Sequence, residues 1–223
     1  MSGESELRVE LPSGSVAAIA SEPDGPSVLT FLYTPGAGSN VHDPFGKFLC
    51  RELASRGVRA VRFQFPYQEA GKRSPDRPTV LEETWRAAID QLAAERTVVG
   101  GRSMGGRIAS QVVAEGVSVA GLALFAYPLH PPGKPERSRT GHLPALRVPV
   151  LFCSGTNDAF GSPEELREAA ALGGRSTVHL MEHADHGFSA PKSSGRTREQ
   201  VWAEALAAMT GWLAAGGIAR LSA

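Results

Sequence analysis

The stretch VVGGRSMGGR, residues 98–107, places Ser103 between glycines directly after a short apolar run. Its centre reads G-x-S-x-G, the pattern of a sharp turn that joins a buried strand to a helix and presents a serine as a nucleophile. Gly101 and Gly105 leave room where side chains would clash in such a turn. Ser103 itself is expected to hold a strained backbone conformation, tolerated because the packing around it is fixed.

Strands and helices alternate on both sides of this unit. The apolar runs predict strands at 7–11, 15–21, 27–33, 58–65, 97–101, 119–127, 148–155 and 177–182, the first two forming a hairpin. Helices are predicted over 43–56, 79–96, the residues after Ser103 to about 115, 162–172 and 197–215. The clearest is 79–96, because Thr79 can cap it and Glu82 stands three residues on, as a capping box requires.

This alternation predicts an α/β fold with a mainly parallel central sheet and helices on both of its faces. No linker or internal repeat divides the sequence, so one domain over residues 1–223 is expected. In such sheets, ligands bind beyond the carboxyl ends of the strands. The loops that follow the predicted strands should therefore lie along one edge.

Two of those loops carry the residues that a serine nucleophile needs. A serine hydroxyl requires a base to remove its proton, and the expected chain order is serine, acid, histidine. Asp158, after the strand 148–155, fits the acid, and His186, after the last predicted strand, fits the base. Asp185 and His183 are the alternatives, although Asp185, as the neighbour of His186, should point away from its ring. The other histidines are predicted to be ordinary surface or pocket residues.

An oxyanion hole is the third requirement of this chemistry. One backbone N–H should come from Met104, the residue after the serine, and another from the loop TPGAGSN at 34–40. Small residues let that loop approach a substrate closely. Ala37 is the expected second donor, with Gly38 as the alternative.

Composition excludes several other classes of function. The chain carries 23 basic and 23 acidic residues, so no strong field attracts nucleic acid or a membrane surface. Its most apolar window, 117–127, is too short to span a bilayer, and the charged first ten residues lack the apolar core of a signal peptide. The glycine-rich loops match neither a dinucleotide fingerprint nor a P-loop.

The two cysteines, Cys50 and Cys153, are far apart and lack the spacing of a metal site. Reduced thiols in a cytoplasmic protein are the simplest interpretation. No metal or organic cofactor is expected.

Two basic segments border the predicted site. One is PYQEAGKRSPDRP, with Lys72, Arg73 and Arg77, and the other is 130–147, with Lys134, Arg137 and Arg139. They are interpreted as solvated surface loops. The alternative is a basic rim that favours an anionic substrate.

Three segments together resemble the α/β-hydrolase superfamily, in a compact form with a minimal lid: the turn around Ser103, GTND at 155–158 and ADHGF at 184–188. More narrowly, GRSMGGR, FQFPYQEAGKRSPDRP at 63–78 and ADHGF resemble its dienelactone-hydrolase-like branch. Within that branch they resemble the small family that includes testis-expressed hydrolase-like proteins and a subunit of the NSL histone acetyltransferase complex. The similarity spans roughly residues 25–215, and 63–78 is its most specific part.

Two positions depart from the pattern of this branch. Dienelactone hydrolases have a cysteine where this chain has Ser103, so their particular substrate does not carry over. Related proteins often read H-G-A-G in the oxyanion loop, whereas here Pro35 precedes Gly36. The resemblance therefore implies the fold and the catalytic apparatus far better than it implies the substrate.

The expected function is a serine hydrolase that cleaves a small ester or thioester through an acyl-enzyme. A peptidase would use the same machinery. The alternative from another class is a catalytically idle hydrolase fold that serves as an interaction module, since a fold alone does not fix a function.

Overall fold

The computed structural model describes residues 3–221, which form one eight-stranded sheet covered by helices. The strands are β1 (Glu4–Leu11), β2 (Gly14–Ser21), β3 (Leu29–Thr34), β4 (Val58–Phe63), β5 (Thr97–Arg102), β6 (Gly121–Phe125), β7 (Val150–Gly155) and β8 (Ser176–Met181). The helices are α1 (Pro44–Ala54), α2 (Pro66–Glu69), α3 (Pro78–Leu92), α4 (Met104–Ala114), α5 (Pro163–Ala171) and α6 (Arg198–Ala215). The predicted fold class is confirmed.

The strands are ordered β1-β2-β4-β3-β5-β6-β7-β8 across the sheet. The pairs β1–β2 and β2–β4 are antiparallel, and every other neighbouring pair is parallel. The carboxyl ends of β3 to β8 consequently meet at one edge. The loops predicted to carry the chemistry all leave the sheet there.

Two apolar layers cover the two faces of the sheet. Trp85 of α3, Ile108 of α4 and Leu166 of α5 are buried in one cluster. Phe45 of α1 and Met209 of α6 are buried in the other. The inner strands of the parallel part are rich in apolar residues because both of their faces are buried, as in β3, where all six residues are buried. The edge strand β8 is only partly buried.

The structure corrects the predicted start of α3. Thr79 does not cap this helix: the cap position is Arg77, without a side-chain hydrogen bond, and Pro78 is the first helical residue. Proline is favoured at that first position because its φ is already helical and its missing N–H is not needed there. A capping box does form where Ser162 precedes α5.

No inserted helical lid covers the carboxyl edge between β6 and β7. Within residues 126–149 the helical structure is a single 3₁₀ turn, Leu143–Ala145. The segment is held against α4 by a hydrogen bond of 2.7 Å between His142 Nε2 and Ser110 Oγ. The edge that carries Ser103 is therefore open.

Candidate active site

Ser103 occupies the sharp turn between β5 and α4. Its backbone has φ 52° and ψ −120°, a conformation that non-glycine residues rarely adopt. The turn is anchored on two sides: the Ser103 N–H donates to the Phe125 carbonyl at 2.8 Å, and the Trp85 indole N–H donates to the Gly105 carbonyl at 3.2 Å. The expected strain is present, and neighbouring strands and helices hold it in place.

The glycines on either side of Ser103 are required by close backbone contacts. A Cβ atom on Gly101 or on Gly105 would lie 2.2 Å from the carbonyl oxygen of Thr34 at the end of β3. A side chain on Gly105 would push α4 away from the end of β3, and one on Gly101 would separate the ends of β5 and β3. The two glycines of the G-x-S-x-G pattern are therefore needed because the serine turn packs so closely against the end of β3.

Ser103, His186 and Asp158 are joined by a continuous chain of hydrogen bonds. His186 Nε2 lies 2.8 Å from Ser103 Oγ, and His186 Nδ1 lies 2.9 Å from both carboxylate oxygens of Asp158. The Asp158 side chain is 1% exposed and the His186 side chain 24%. The structure brings together the three residues that the sequence pointed to.

The carboxylate of Asp158 is further held by its own loop. Ser154 Oγ donates to Oδ2 at 3.1 Å, and the Phe160 N–H donates to Oδ1 at 2.8 Å. With His186 these donors occupy both oxygens, so the orientation of the carboxylate is fixed before any substrate arrives.

The alternative residues lie elsewhere. The Asp185 carboxylate accepts from the N–H groups of Gly187 and Ser189 and so shapes the turn that carries His186. His183 is exposed, and its N–H donates to Thr156 Oγ1. Ser103 Oγ makes its hydrogen bond to His186 instead.

The loop after β3 lies directly over the serine. A Cβ atom on Gly36 would be 3.3 Å from Ser103 Cβ, so this residue touches the serine turn. The N–H groups of Ala37 and Met104 make no hydrogen bond with any described residue. Met104 is the first residue of α4, where the N–H groups have no partner within the helix. Both predicted donors are free to bind an oxygen atom.

A cavity of about 570 Å³ opens at Ser103 and His186. The loop 36–39 forms one side of it, and the other side chains that line it include Arg102, Phe160, Arg198 and Trp202. None of the six basic residues in the two flanking loops lines this cavity. The cationic groups beside the serine come instead from the end of β5 and the first turn of α6.

Arg102 makes an ion pair with the buried Asp43, with Nη2 and Oδ1 3.1 Å apart. Asp43 also accepts from the Tyr33 hydroxyl at 2.8 Å and from the Gly46 N–H at 2.9 Å, which caps α1. Burial, together with this carboxylate, raises the pKa of Tyr33 well above its usual range. Asp43 neutralises the charge of Arg102, whereas Arg198 forms no ion pair with a carboxylate within residues 3–221. Its Nε instead donates to Ser189 Oγ at 3.2 Å.

Comparisons with known proteins agree with this architecture. The profile of the alpha/beta hydrolase domain family matches residues 27–214. This chain belongs to that family. Among solved structures, a lidless α/β serine hydrolase from Xanthomonas campestris aligns with TM-score 0.70 and 18% identity, covering 94% of both chains.

Two further structures resemble this alpha/beta hydrolase. A protein assigned to the dienelactone hydrolases from Klebsiella pneumoniae aligns with TM-score 0.71 and 20% identity, over 96% of this chain and 99% of that one. An esterase from Thermogutta terrifontis aligns with TM-score 0.74 and 17% identity, over 97% and 96% of the two chains. At these identities the likeness establishes the fold.

Several residues of the alpha/beta hydrolase site carry no local signal in the sequence. Phe160 stacks on His186, Trp202 and Arg198 come from α6, and Asp43 lies under Arg102. Each reaches the cavity through tertiary packing rather than through a motif. The sequence signal that could have identified them is position alone: they lie in the segment after a strand or near the start of a helix at the carboxyl edge of the sheet.

No helix within residues 3–221 is long and apolar enough to cross a membrane. Nowhere in that range do three or more His, Cys, Asp or Glu side chains cluster as a metal ion would require.

Proposed function

We propose that this alpha/beta hydrolase is a serine esterase or thioesterase that works through an acyl-enzyme, with Ser103, His186 and Asp158 as its catalytic triad. The observation that carries the proposal is the unbroken hydrogen-bond chain Ser103–His186–Asp158 at an open cavity. The strained serine turn and the fixed carboxylate support it, because both are features that packing must maintain at a cost in stability.

In the proposed reaction, His186 Nε2 removes the proton of Ser103 Oγ as the oxygen attacks the acyl carbonyl carbon. A tetrahedral intermediate forms, with a new Oγ–C bond and a negative charge on the former carbonyl oxygen. His186 then gives its proton to the leaving alkoxide or thiolate as the bond to the acyl carbon breaks. Water, deprotonated by the same imidazole, attacks the acyl-enzyme and releases the acid and free Ser103.

Asp158 has two roles in this scheme. Its bond to Nδ1 holds the imidazole in the tautomer whose Nε2 can accept the serine proton, and its charge stabilises the imidazolium that forms. The carboxylate is already oriented by Ser154 and Phe160, so no reorganisation is needed as the charge develops.

The charge on the intermediate would be stabilised by the N–H groups of Met104 and Ala37. Ala37 is favoured over Gly38 because its N–H belongs to the peptide that directly follows Gly36, the residue in contact with the serine turn. Losing one such donor typically costs about 3–4 kcal/mol in the transition state.

The substrate is proposed to be a small or accessible ester or thioester, since no helical lid covers residues 126–149. Solved lidless serine hydrolases and esterases of the same fold are consistent with this class. The narrower kinship to the testis-expressed and NSL-subunit family rests on the sequence segments quoted above. A cytoplasmic location is also proposed, supported by two buried, free cysteines, Cys50 and Cys153. A single domain is proposed on the one continuous sheet that the described residues form.

Labelling with a fluorophosphonate probe tests the proposal, with Ser103→Ala as the control. The folded wild-type chain should label and the variant should not. A folded wild-type chain that fails to label would favour the idle interaction module. If labelling succeeds, a series of aryl esters and thioesters with increasing acyl chains defines the substrate class.

A further inference from the structure

The segment 63–78, the most distinctive part of the sequence resemblance, has no place in the reaction described above. It contains α2 and lies beside the loop that covers Ser103. Its Tyr67 and Gln68 side chains make hydrogen bonds to backbone carbonyls of that loop. These contacts give the segment a role at the site.

Gln68 is fixed at one end and reaches the loop with the other. Its Oε1 accepts from the Phe65 N–H at 2.8 Å, which sets the orientation of the amide. Its Nε2 then donates to the carbonyls of Gly36, at 3.2 Å, and Ser39. The carbonyl of Gly36 also accepts from the Ser39 N–H at 3.2 Å, so it is held by two donors.

Tyr67 holds the next carbonyl in the same way. Its hydroxyl donates to the Ala37 carbonyl at 2.8 Å, and the side chain is almost completely buried, at 1% exposure. Burial, reinforced by Asp76, raises the pKa of Tyr67 to about 12, so the hydroxyl remains a donor at neutral pH. Asp76 Oδ2 in turn accepts from the Tyr67 N–H at 2.8 Å, which ties the rest of the segment to α2.

These contacts determine where the N–H groups of the loop point. In a trans peptide the carbonyl and the N–H lie on opposite sides, and no cis peptide bond occurs among the described residues. Because the carbonyls of Gly36 and Ala37 face α2, the N–H groups of Ala37 and Gly38 face the opposite side of the loop. The cavity is lined by residues 36–39 and Ser103 but not by Tyr67 or Gln68, so we infer that it lies on this opposite side.

We propose that Tyr67 and Gln68 are positioning residues that hold the oxyanion loop with its N–H groups directed at the substrate. Their catalytic effect rests on the proposed function, whereas their effect on the orientation of the loop does not. Without these side chains the Gly36 carbonyl would keep only its bond from the Ser39 N–H, and the Ala37 carbonyl would lose the bond from Tyr67. The segment 63–78 thereby restrains a loop that is built mainly from small residues.

Two single-group substitutions test this role. Tyr67→Phe removes one hydroxyl, and Gln68→Glu keeps the acceptor for Phe65 but places a carboxylate oxygen against two carbonyls. Each should lower kcat about 10- to 100-fold with little change in KM, because misplacing a transition-state donor affects the reaction step rather than ground-state binding. Affinity for an aryl boronic acid, whose tetrahedral adduct carries the negative oxygen, should weaken by a similar factor.

Tyr127→Phe is the matched control. Tyr127 is also buried, and its hydroxyl also donates to a backbone carbonyl at 2.8 Å, that of Arg139, away from the cavity. Rates are normalised to sites titrated with fluorophosphonate, so that loss of folded protein does not count. Unchanged kcat and boronate affinity in both test variants would overturn the proposal.

Crystal structures of the same three variants separate this inference from the proposed function. If the wild-type chain neither labels nor hydrolyses esters, the esterase proposal fails, and the orientations of the 36–38 peptides still decide whether Tyr67 and Gln68 position the loop. Rotation or loss of order in the 36–38 peptides of Tyr67→Phe and Gln68→Glu, but not of Tyr127→Phe, supports it. Unmoved peptide planes in both test variants contradict it.

Discussion

The ring of Phe160 stacks on the imidazole of His186, with ring centroids 4.0 Å apart and planes inclined by 27°. The backbone N–H of the same residue donates to Asp158 at 2.8 Å. Phe160 therefore contacts both His186 and Asp158. It stacks on the imidazole of His186 and donates a backbone hydrogen bond to the carboxylate of Asp158. A side-chain substitution removes only the first contact.

Phe160→Ala should lower kcat/KM about fivefold, since a stacked aromatic contact contributes about 1 kcal/mol. The imidazole would lose the wall that keeps it directed at Ser103. Phe160→Leu, which keeps an apolar contact, should lose less. Steady-state kinetics on an aryl ester measure both, and equal rates for wild type and Phe160→Ala would refute this role.

Asp158→Asn should lower kcat by about 10³- to 10⁴-fold while the chain stays folded, because the amide favours the wrong imidazole tautomer. Asp185→Asn is the comparison, since the asparagine oxygen can still accept from Gly187 and Ser189. It should leave kcat close to that of wild type. A larger loss in Asp185→Asn than in Asp158→Asn would mean that the acid has been assigned to the wrong residue.

Arg198→Ala should raise KM for a carboxylate-bearing aryl ester by up to about fivefold, and for a neutral ester much less, because this cation lines the cavity at a solvent-accessible position. Arg73→Ala and Arg137→Ala should leave both KM values unchanged, since neither residue lines the cavity. Paired assays on the two esters decide between the basic rim that the sequence left as an alternative and the cation that lines the cavity. A selective effect of Arg73 or Arg137 would restore the rim.

Protonation of His142 should destabilise the protein at acidic pH. Burial, and secondarily Arg107, lowers the pKa of His142 from 6.5 to about 4, with Glu115 opposing the shift. Between those values the unfolded chain binds a proton that the folded chain does not, so stability falls as the pH drops from about 6.5 towards 4. Below that window the destabilisation is fully present.

Urea unfolding at pH 7 and pH 5 measures this effect. His142→Gln should lose less stability between the two pH values than wild type, although it is less stable at pH 7 because the bond to Ser110 is altered. Other acidic-pH contributions are common to both proteins and cancel in the comparison. If wild type and variant lost the same stability between pH 7 and pH 5, His142 would be excluded as a source of the acid destabilisation.

Much of the fold could be predicted because the strands carry strong local signals. Strands buried on both faces consist mostly of apolar residues, and the helical patterns between them show where each strand ends. Topology then made the site predictable: parallel strands deliver the loops of Ser103, Asp158 and His186 to one edge, although 83 residues separate Ser103 from His186. The catalytic roles of these residues stay predictions.

The features that escaped prediction depend on tertiary contacts. The helix α2 has four residues, too few to show a period, and is held by bonds to the loop after β3. At α3 the capping pattern of Thr79 and Glu82 was outweighed by the preference of Pro78 for the first helical position. Arg198 reaches the cavity only because α6 packs back along the sheet beside α1.

The central claim is that Ser103 carries the acyl group, and intact-protein mass spectrometry during the burst phase of aryl ester hydrolysis tests it most directly. One acyl group per chain should be found, located by peptide mapping on the fragment that contains Ser103 and absent from Ser103→Ala. A wild-type chain that turns over the ester with no acyl adduct under any quench condition, or with the adduct on another residue, would contradict it.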